Sequence, residues 1–112
     1  MQIETHDATV TAPVELEIVS SSGANVEVFV FDGDTQLAHH AFKFGERPFA
    51  VALPGLGAGP HAISVFVLAM KNLNRMYSVL VSFNHEIVAV ADGDIPDGDP
   101  HDSGSGSLTL TV

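Results

Sequence analysis

Hydrophobic and polar residues alternate with a period of two along most of this chain. Val14, Leu16 and Ile18 alternate with Glu15 and Glu17, Phe49, Val51 and Leu53 with Ala50 and Ala52, and Leu108, Leu110 and Val112 with Thr109 and Thr111. Side chains two positions apart share one face of an extended strand, so each run predicts a strand with one buried and one wetter side. Ile63, Val65 and Val67 continue the scheme. Pro13, Pro48 and Pro60 each stand just ahead of such a run, where a missing N–H costs the ladder nothing. A helical period is weakly suggested only at Lys71–Met76, and Asn72 and Asn74 turn even that stretch toward a bend.

Two stretches, Val26–Leu37 and Tyr77–Val88, each join a run of β-branched and aromatic residues to a second apolar run through a short polar turn. Strand, turn, strand is the reading that fits both. Their surroundings also correspond. Pro13, the strand Val14–Val19, the first hairpin and the strand Phe49–Leu53 are echoed by Pro60, the strand His61–Leu68, the second hairpin and the strand Leu108–Val112. The chain therefore divides into two similar halves, about 13–53 and 60–112, each of strand, hairpin and strand. One half alone buries too little, so the two are expected to close face to face over a shared core. With a weak leading strand near Ala8–Ala12, the expectation is a single all-β domain over residues 1–112. It would be a two-sheet antiparallel sandwich of about seven to nine strands.

Three segments carry a resemblance. Val26-Glu-Val-Phe-Val-Phe-Asp-Gly ends a strand in Asp-Gly, Pro48-Phe-Ala-Val-Ala-Leu is a Pro-aromatic strand, and Gly55-Leu-Gly-Ala-Gly-Pro-His-Ala-Ile-Ser-Val-Phe-Val leads through a corner into an alternating strand. Residues 14–69 thereby resemble the bacterial immunoglobulin-like and fibronectin-type-III-like modules. The resemblance implies an immunoglobulin-like sandwich that serves as a spacer or as a binding or adhesion unit. The compartment stays open, a place outside the cell or at its surface as part of a larger chain being one that suits such a module. Beyond residue 69 the chain departs from that pattern by adding the Tyr77 hairpin and an acidic loop, 92–107.

With 112 residues, 46% of them hydrophobic, the chain is long enough to bury one core. The net charge is −10, and Lys43, Arg47, Lys71 and Arg75 are the only Lys and Arg residues. Such a surface repels phosphate backbones and anionic headgroups, which disfavours nucleic-acid and membrane-surface roles. The longest apolar-rich run, Ile63–Met70, is too short to span a bilayer. Met1–Asp7 has neither the basic nor the apolar stretch of a signal peptide, so a secreted form would have lost its signal or would travel within something larger. Cysteine is absent, which removes disulfides and thiolate metal sites and leaves the redox compartment open.

Reactive chemistry has few candidates. Asp92, Asp94, Asp97, Asp99 and Asp102 place five of the fourteen acidic residues in one stretch punctuated by Gly93, Pro96, Gly98 and Pro100. Calcium favours several carboxylate oxygens on such a backbone, so these five are the candidate metal ligands. They do not follow the EF-hand spacing, since Pro96 or His101 falls at the third ligand position. The competing reading is a solvated loop that keeps a β-protein soluble, continued by a linker-like Ser103-Gly-Ser-Gly-Ser107. Of the six histidines, His39 and His40 are adjacent and point to opposite faces of a strand, so they cannot share an ion there. His6, His61, His85 and His101 fall at loops, a strand start and a hairpin tip. Gly55–Gly59 is followed by Pro60 and a strand rather than a helix, which makes it a corner and not a phosphate cradle. Ser20–Ser22 reads as a turn before Gly23. With no cysteine and no Gly-x-Ser-x-Gly elbow, catalysis is not expected.

The remaining feature is an apolar excess. Val28-Phe-Val-Phe31 and Val65-Phe-Val-Leu68 are hydrophobic on both faces, whereas a sandwich buries one face of each sheet. Phe29, Phe31, Phe66 and Leu68 therefore either have an internal cover or form a patch for a protein partner or a second copy. The expected role is a non-catalytic structural or protein-interaction module, self-associating or not. The alternative is calcium-dependent binding through residues 92–102.

Overall fold

In a computed structural model, which describes every residue except Ser22 and Phe44, the described residues form ten strands and no helix. The expected turn at 20–22 lies partly outside the described residues. The strands are β1 (Glu4–Thr5), β2 (Ala8–Thr9), β3 (Glu15–Ser20), β4 (Asn25–Asp32), β5 (Thr35–Phe42), β6 (Phe49–Ala52), β7 (Pro60–Met70), β8 (Met76–Phe83), β9 (Glu86–Asp94) and β10 (His101–Thr111). The count exceeds the seven to nine expected because the leading segment forms two short strands rather than one.

The strands make two five-stranded sheets. The first has the order β1-β9-β8-β3-β6 and the second β2-β10-β7-β4-β5. Neighbours are antiparallel except for the short parallel pair β2 and β10. The alternation behaves as its period requires: Leu16 and Ile18 of β3, Val26, Val28 and Val30 of β4, Ile63, Val65 and Val67 of β7, and Val79, Val81 and Phe83 of β8 all point into one core. Burying an aliphatic side chain of this size contributes about 1.5–3 kcal/mol, and only the two-sheet arrangement covers all of them at once.

The two halves are present, but they interlock. In the first half the outer strands β3 and β6 pair in the first sheet while the hairpin β4–β5 lies in the second. The second half reverses this, with β7 and β10 paired in the second sheet and the hairpin β8–β9 in the first. Exchanging β3, β4, β5 and β6 for β7, β8, β9 and β10 converts the order β9-β8-β3-β6 into β5-β4-β7-β10. The correspondence extends to details of the hairpins. Each turns through two residues, Gly33-Asp34 in one and Asn84-His85 in the other, and each carries a register shift that leaves one residue extra, Leu37 and Val88 respectively. Asn84 and His85 both have positive φ, 49° and 68°, as a tight turn of primed type requires. Asn84 also anchors the turn to the strand entry: its side chain donates to the carbonyls of Thr11 and Pro13 and accepts from the Glu15 amide.

The stretch 92–107 is mostly strand. Asp92–Asp94 close β9, His101–Ser107 open β10, and only residues 95–100 connect them. Ser103–Ser107, expected as a linker, is paired residue for residue with Ser64–Leu68 of β7. Composition misleads here because serine faces outward and glycine inward. A Cβ on Gly106 would stand 2.7 Å from the Thr5 Cγ2 and 3.3 Å from the Ile3 Cγ2, and one on Gly104 would stand 2.8 Å from the Met1 carbonyl oxygen. The glycines thus make room for the N-terminal residues, which pack against the core at this edge. Those residues pair with β9 through β1 and cross to β10 through β2. The connection is not a free loop either. Ile95 is fully buried and its amide donates to the Arg75 carbonyl.

Candidate functional site

The central strands β4 and β7 of the second sheet each send one row of side chains inward and one outward. The outward row contains all four residues expected to form an apolar patch. Phe66 stands opposite Phe29, which in turn stands opposite His39; Ser64 faces Phe31 and Leu68 faces Glu27. The Phe31 ring meets the Phe66 ring edge-on, with centroids 5.8 Å apart. The Phe29 ring lies flat on the His39 imidazole at 4.2 Å. His39 is held there by Glu27, whose Oε1 accepts from Nε2 at 2.5 Å.

These rings do not fill the space between them. A shallow groove of about 490 Å³ is lined by Phe29, Phe31, Gly33, Asp34, Ser64 and Phe66. Phe66, on a central strand where burial is usual, is 44% exposed. Beyond Glu27 and Leu68 a second hollow of about 260 Å³ continues toward Met70, which is 50% exposed. The alternation that singled out Phe66 and Leu68 also carries Met70 onto this face. Its place at the end of the apolar run hid it. Beside Ser64, Phe66 and Leu68 the flanking strand β10 places the small outward side chains Ser107, Ser105 and Ser103, and its larger His101 stands further along, opposite Met70.

The five aspartates are dispersed rather than gathered. Asp92 and Asp94 lie exposed at the end of β9, on either side of Gly93, where a Cβ would stand 2.9 Å from the Tyr77 hydroxyl. Asp97 pairs with Arg75. Asp99 donates its amide to the Pro96 carbonyl. Asp102 accepts from the Met1 ammonium and from the Tyr77 hydroxyl, both at 3.0 Å. Burial, the largest single influence, acts to raise the Asp102 pKa, but the two hydrogen bonds, the charge of the Met1 ammonium and the Ser103 amide together outweigh it and hold the carboxyl below its usual range. Tyr77 responds in the opposite sense: burial first, then the bond to Asp102 and the nearby charges of Asp92 and Asp94, push its hydroxyl up to about 12. Among the described residues no three His, Asp or Glu side chains converge in a way that would hold a metal ion.

Three of the six histidines, His39, His40 and His61, are committed to local partners. His40 lies against Phe49, ring centroids 4.5 Å apart, and meets Glu46 through Nε2. That hydrogen bond, ahead of the other influences, lowers the Glu46 pKa. His61 Nδ1 lies 2.8 Å from the Asp32 Oδ2 and its Nε2 2.6 Å from the Gly57 carbonyl oxygen. An Asp–His pair of a hydrolytic triad keeps its far nitrogen for a hydroxyl nucleophile; here that nitrogen is occupied by a carbonyl. What the molecule presents to solvent is an aromatic groove with carboxylates at its margin.

Comparison with protein-family models, with curated proteins and with solved structures finds no match to this chain. The class that the strand order defines is an all-β two-sheet sandwich. Among the described residues no helix is long and apolar enough to cross a membrane.

Proposed function

We propose that this chain is a non-catalytic protein-interaction module of the immunoglobulin-like kind, binding its partner through the outer face of the second sheet. The strand order supports the family reading. In immunoglobulin-type sandwiches strands B and E pair in one sheet and strands C, F and G lie in the other, extended in some by C′. Here β3 and β6 pair in the first sheet, and β5-β4-β7-β10 has the order C′-C-F-G in the second. The β8–β9 hairpin then occupies the side of β3 where a first strand would otherwise pair.

The observation that carries the functional reading is the exposure of Phe66 beside Phe29 and Phe31 around an open groove. Large aromatic side chains in a shallow concavity are what interfaces use as central anchors. Glu27 and Asp34 at the margin, within a chain of net charge −10, favour a partner that combines an apolar anchor with Lys or Arg beside it. The calcium-dependent alternative has less to favour it: Asp97 pairs with Arg75, Asp102 accepts from Tyr77 and Met1, and among the described residues no three His, Asp or Glu side chains converge.

The test is a selection of displayed peptides against the wild type and against Phe66→Ser. The reading expects peptides with an aromatic or aliphatic residue flanked by basic ones, binding more weakly as salt rises. Phe66→Ser should lose at least about tenfold in affinity, because truncating a central anchor typically costs 2 kcal/mol or more. Equal binding to both proteins, or no enrichment on the wild type, overturns it.

A further inference from the structure

The second sheet ends on β5, which among the described residues has no neighbouring strand on its outer side. The other terminal strands are short, with four residues in β6 and two each in β1 and β2, whereas β5 has eight. Edge strands are usually protected by shortness, charge or proline. Thr35–Phe42 contains no Asp, Glu, Lys, Arg or Pro. The register shift beside Val30 disturbs only its beginning, and Ala38–Phe42 pairs regularly with Val26–Val30. An open edge of this kind, its outward N–H and C=O groups otherwise left to water, is a template for the extended backbone of another strand.

The geometry points to a second copy of this chain as that strand, the two β5 strands pairing antiparallel about a two-fold axis so that two sandwiches share one continuous sheet. Two-fold antiparallel pairing is self-complementary, so the edge supplies its own partner. Charge favours the same choice of surface. A net charge of −10 opposes the approach of two copies, and the opposition is least along a strand that carries no charged residue. The pleat restricts the register, because residues facing each other across the pair must lie on the same side of the sheet. Full pairing of Ala38–Phe42 centres the axis on His40 and sets His39 of one copy opposite Ala41 of the other. The outer rows then run from Phe66, Phe29 and His39 of one copy into Ala41, Glu27 and Leu68 of the second. Five paired residues cover less than the roughly 1,200 Å² of a standard interface, so the dimer is expected to exchange, with a dissociation constant on the order of 100 µM to 1 mM.

The surface is the edge of the sheet and not its aromatic face, so this proposal and the peptide-binding reading fail separately. Sedimentation of the full chain over a concentration series should show a mass rising from 11.8 kDa toward twice that value. Amide exchange should turn from alternate protection along Ala38–Phe42 in dilute solution to continuous protection in concentrated solution. The double variant His39→Lys/Ala41→Lys brings like charges opposite each other in two places while reducing the net charge; it should weaken pairing about tenfold. Ala50→Lys/Ala52→Lys, the same change of charge on exposed positions of β6, should pair as the wild type does. A monomer up to about 1 mM, the limit set by so small an interface, overturns the proposal. So does a His39→Lys/Ala41→Lys protein that pairs undiminished, or protection of the β5 amides by a foreign strand peptide alone.

Discussion

His61 and Asp32 form an ion pair in which the histidine has no free ring nitrogen: Nδ1 lies 2.8 Å from Asp32 Oδ2, while Nε2 lies 2.6 Å from the Gly57 carbonyl. Both acceptors lack a proton, so both nitrogens must carry one, and the imidazolium is the form that satisfies the site. The pair fastens the end of β4 to the start of β7 and to the glycine corner before it. At the corresponding place in the repeat, the end of β8 is fastened to the entry of β3 by Asn84 instead of by an ion pair.

The Gly57 bond first and the Asp32 bond second raise the His61 pKa above its ordinary value, with burial opposing them. A group whose folded pKa is raised adds stability that is complete below its unfolded pKa, about 6.5 for histidine, and is lost as pH rises through the folded value. The melting temperature of His61→Gln should therefore approach that of the wild type as pH rises from about 6 toward 8. The gap at acid pH should be no more than about 5 °C, because the pair is partly exposed and screened. Calorimetry at half-unit pH intervals reads it; a gap that widens toward pH 8 would reverse the sign of the coupling.

Gly106 tests whether β10 is shaped to receive the N-terminal residues. Gly106→Val places branched carbons where Thr5 Cγ2 and Ile3 Cγ2 already stand, 2.7 and 3.3 Å from an added Cβ. Overpacking of this kind costs about 1–3 kcal/mol. Denaturant unfolding should show that loss, and limited proteolysis should cut near residues 3–9 sooner than in the wild type. Ser105→Val, one position away on the outward face, should cost less than about 0.5 kcal/mol. Equal effects at the two positions would remove the role assigned to the glycine.

The strands and hairpins were legible because two-residue alternation is a local signal, and Val26–Leu37 and Tyr77–Val88 state theirs strongly. The aromatic patch was legible for the same reason, since Phe29, Phe31, Phe66 and Leu68 break the alternation on the outward row. Local pattern does not say which sheet a strand joins. That depends on long-range pairing, and so the interlocking of the halves was hidden. Ser103–Ser107 has the composition of a linker and is nevertheless a strand, because what its glycines accommodate is Ile3 and Thr5, far away in sequence. The aspartates looked like one cluster because they are close in sequence; Arg75, Tyr77 and Met1 divide them in space.

Ile95 separates a fixed connection from a solvated one. It sits among aspartates and prolines, yet it is fully buried and its amide is bonded to Arg75. Ile95→Ala should destabilise the fold by about 2–5 kcal/mol, the cost of an unfilled core position. Asp99→Ala, on the exposed side of the same connection, should stay within about 0.5 kcal/mol of wild type. Urea unfolding of the two variants decides the matter. A small loss at Ile95 would mean that the connection moves freely in solution.

Tyr77 is the single tyrosine of a chain without tryptophan, so absorbance near 295 nm reports its ionisation alone. Its side chain is largely buried and its hydroxyl donates to Asp102, so removing the proton would leave two negative charges 3.0 Å apart. Burial is the larger cause and the Asp102 bond the next, which together push the pKa up to about 12 from an ordinary 10.0. The sign follows from linkage: the folded state holds the proton more tightly, so the contribution is complete below pH 10 and is lost as pH rises toward 12. Titration of the folded chain should show no ionisation at pH 10, followed by a steep rise that coincides with unfolding. Asp102→Asn should move the rise to lower pH, because the acceptor loses its charge while burial remains. A wild-type midpoint near 10 in a protein still folded by circular dichroism would mean that Tyr77 is exposed and the Asp102 contact is not formed.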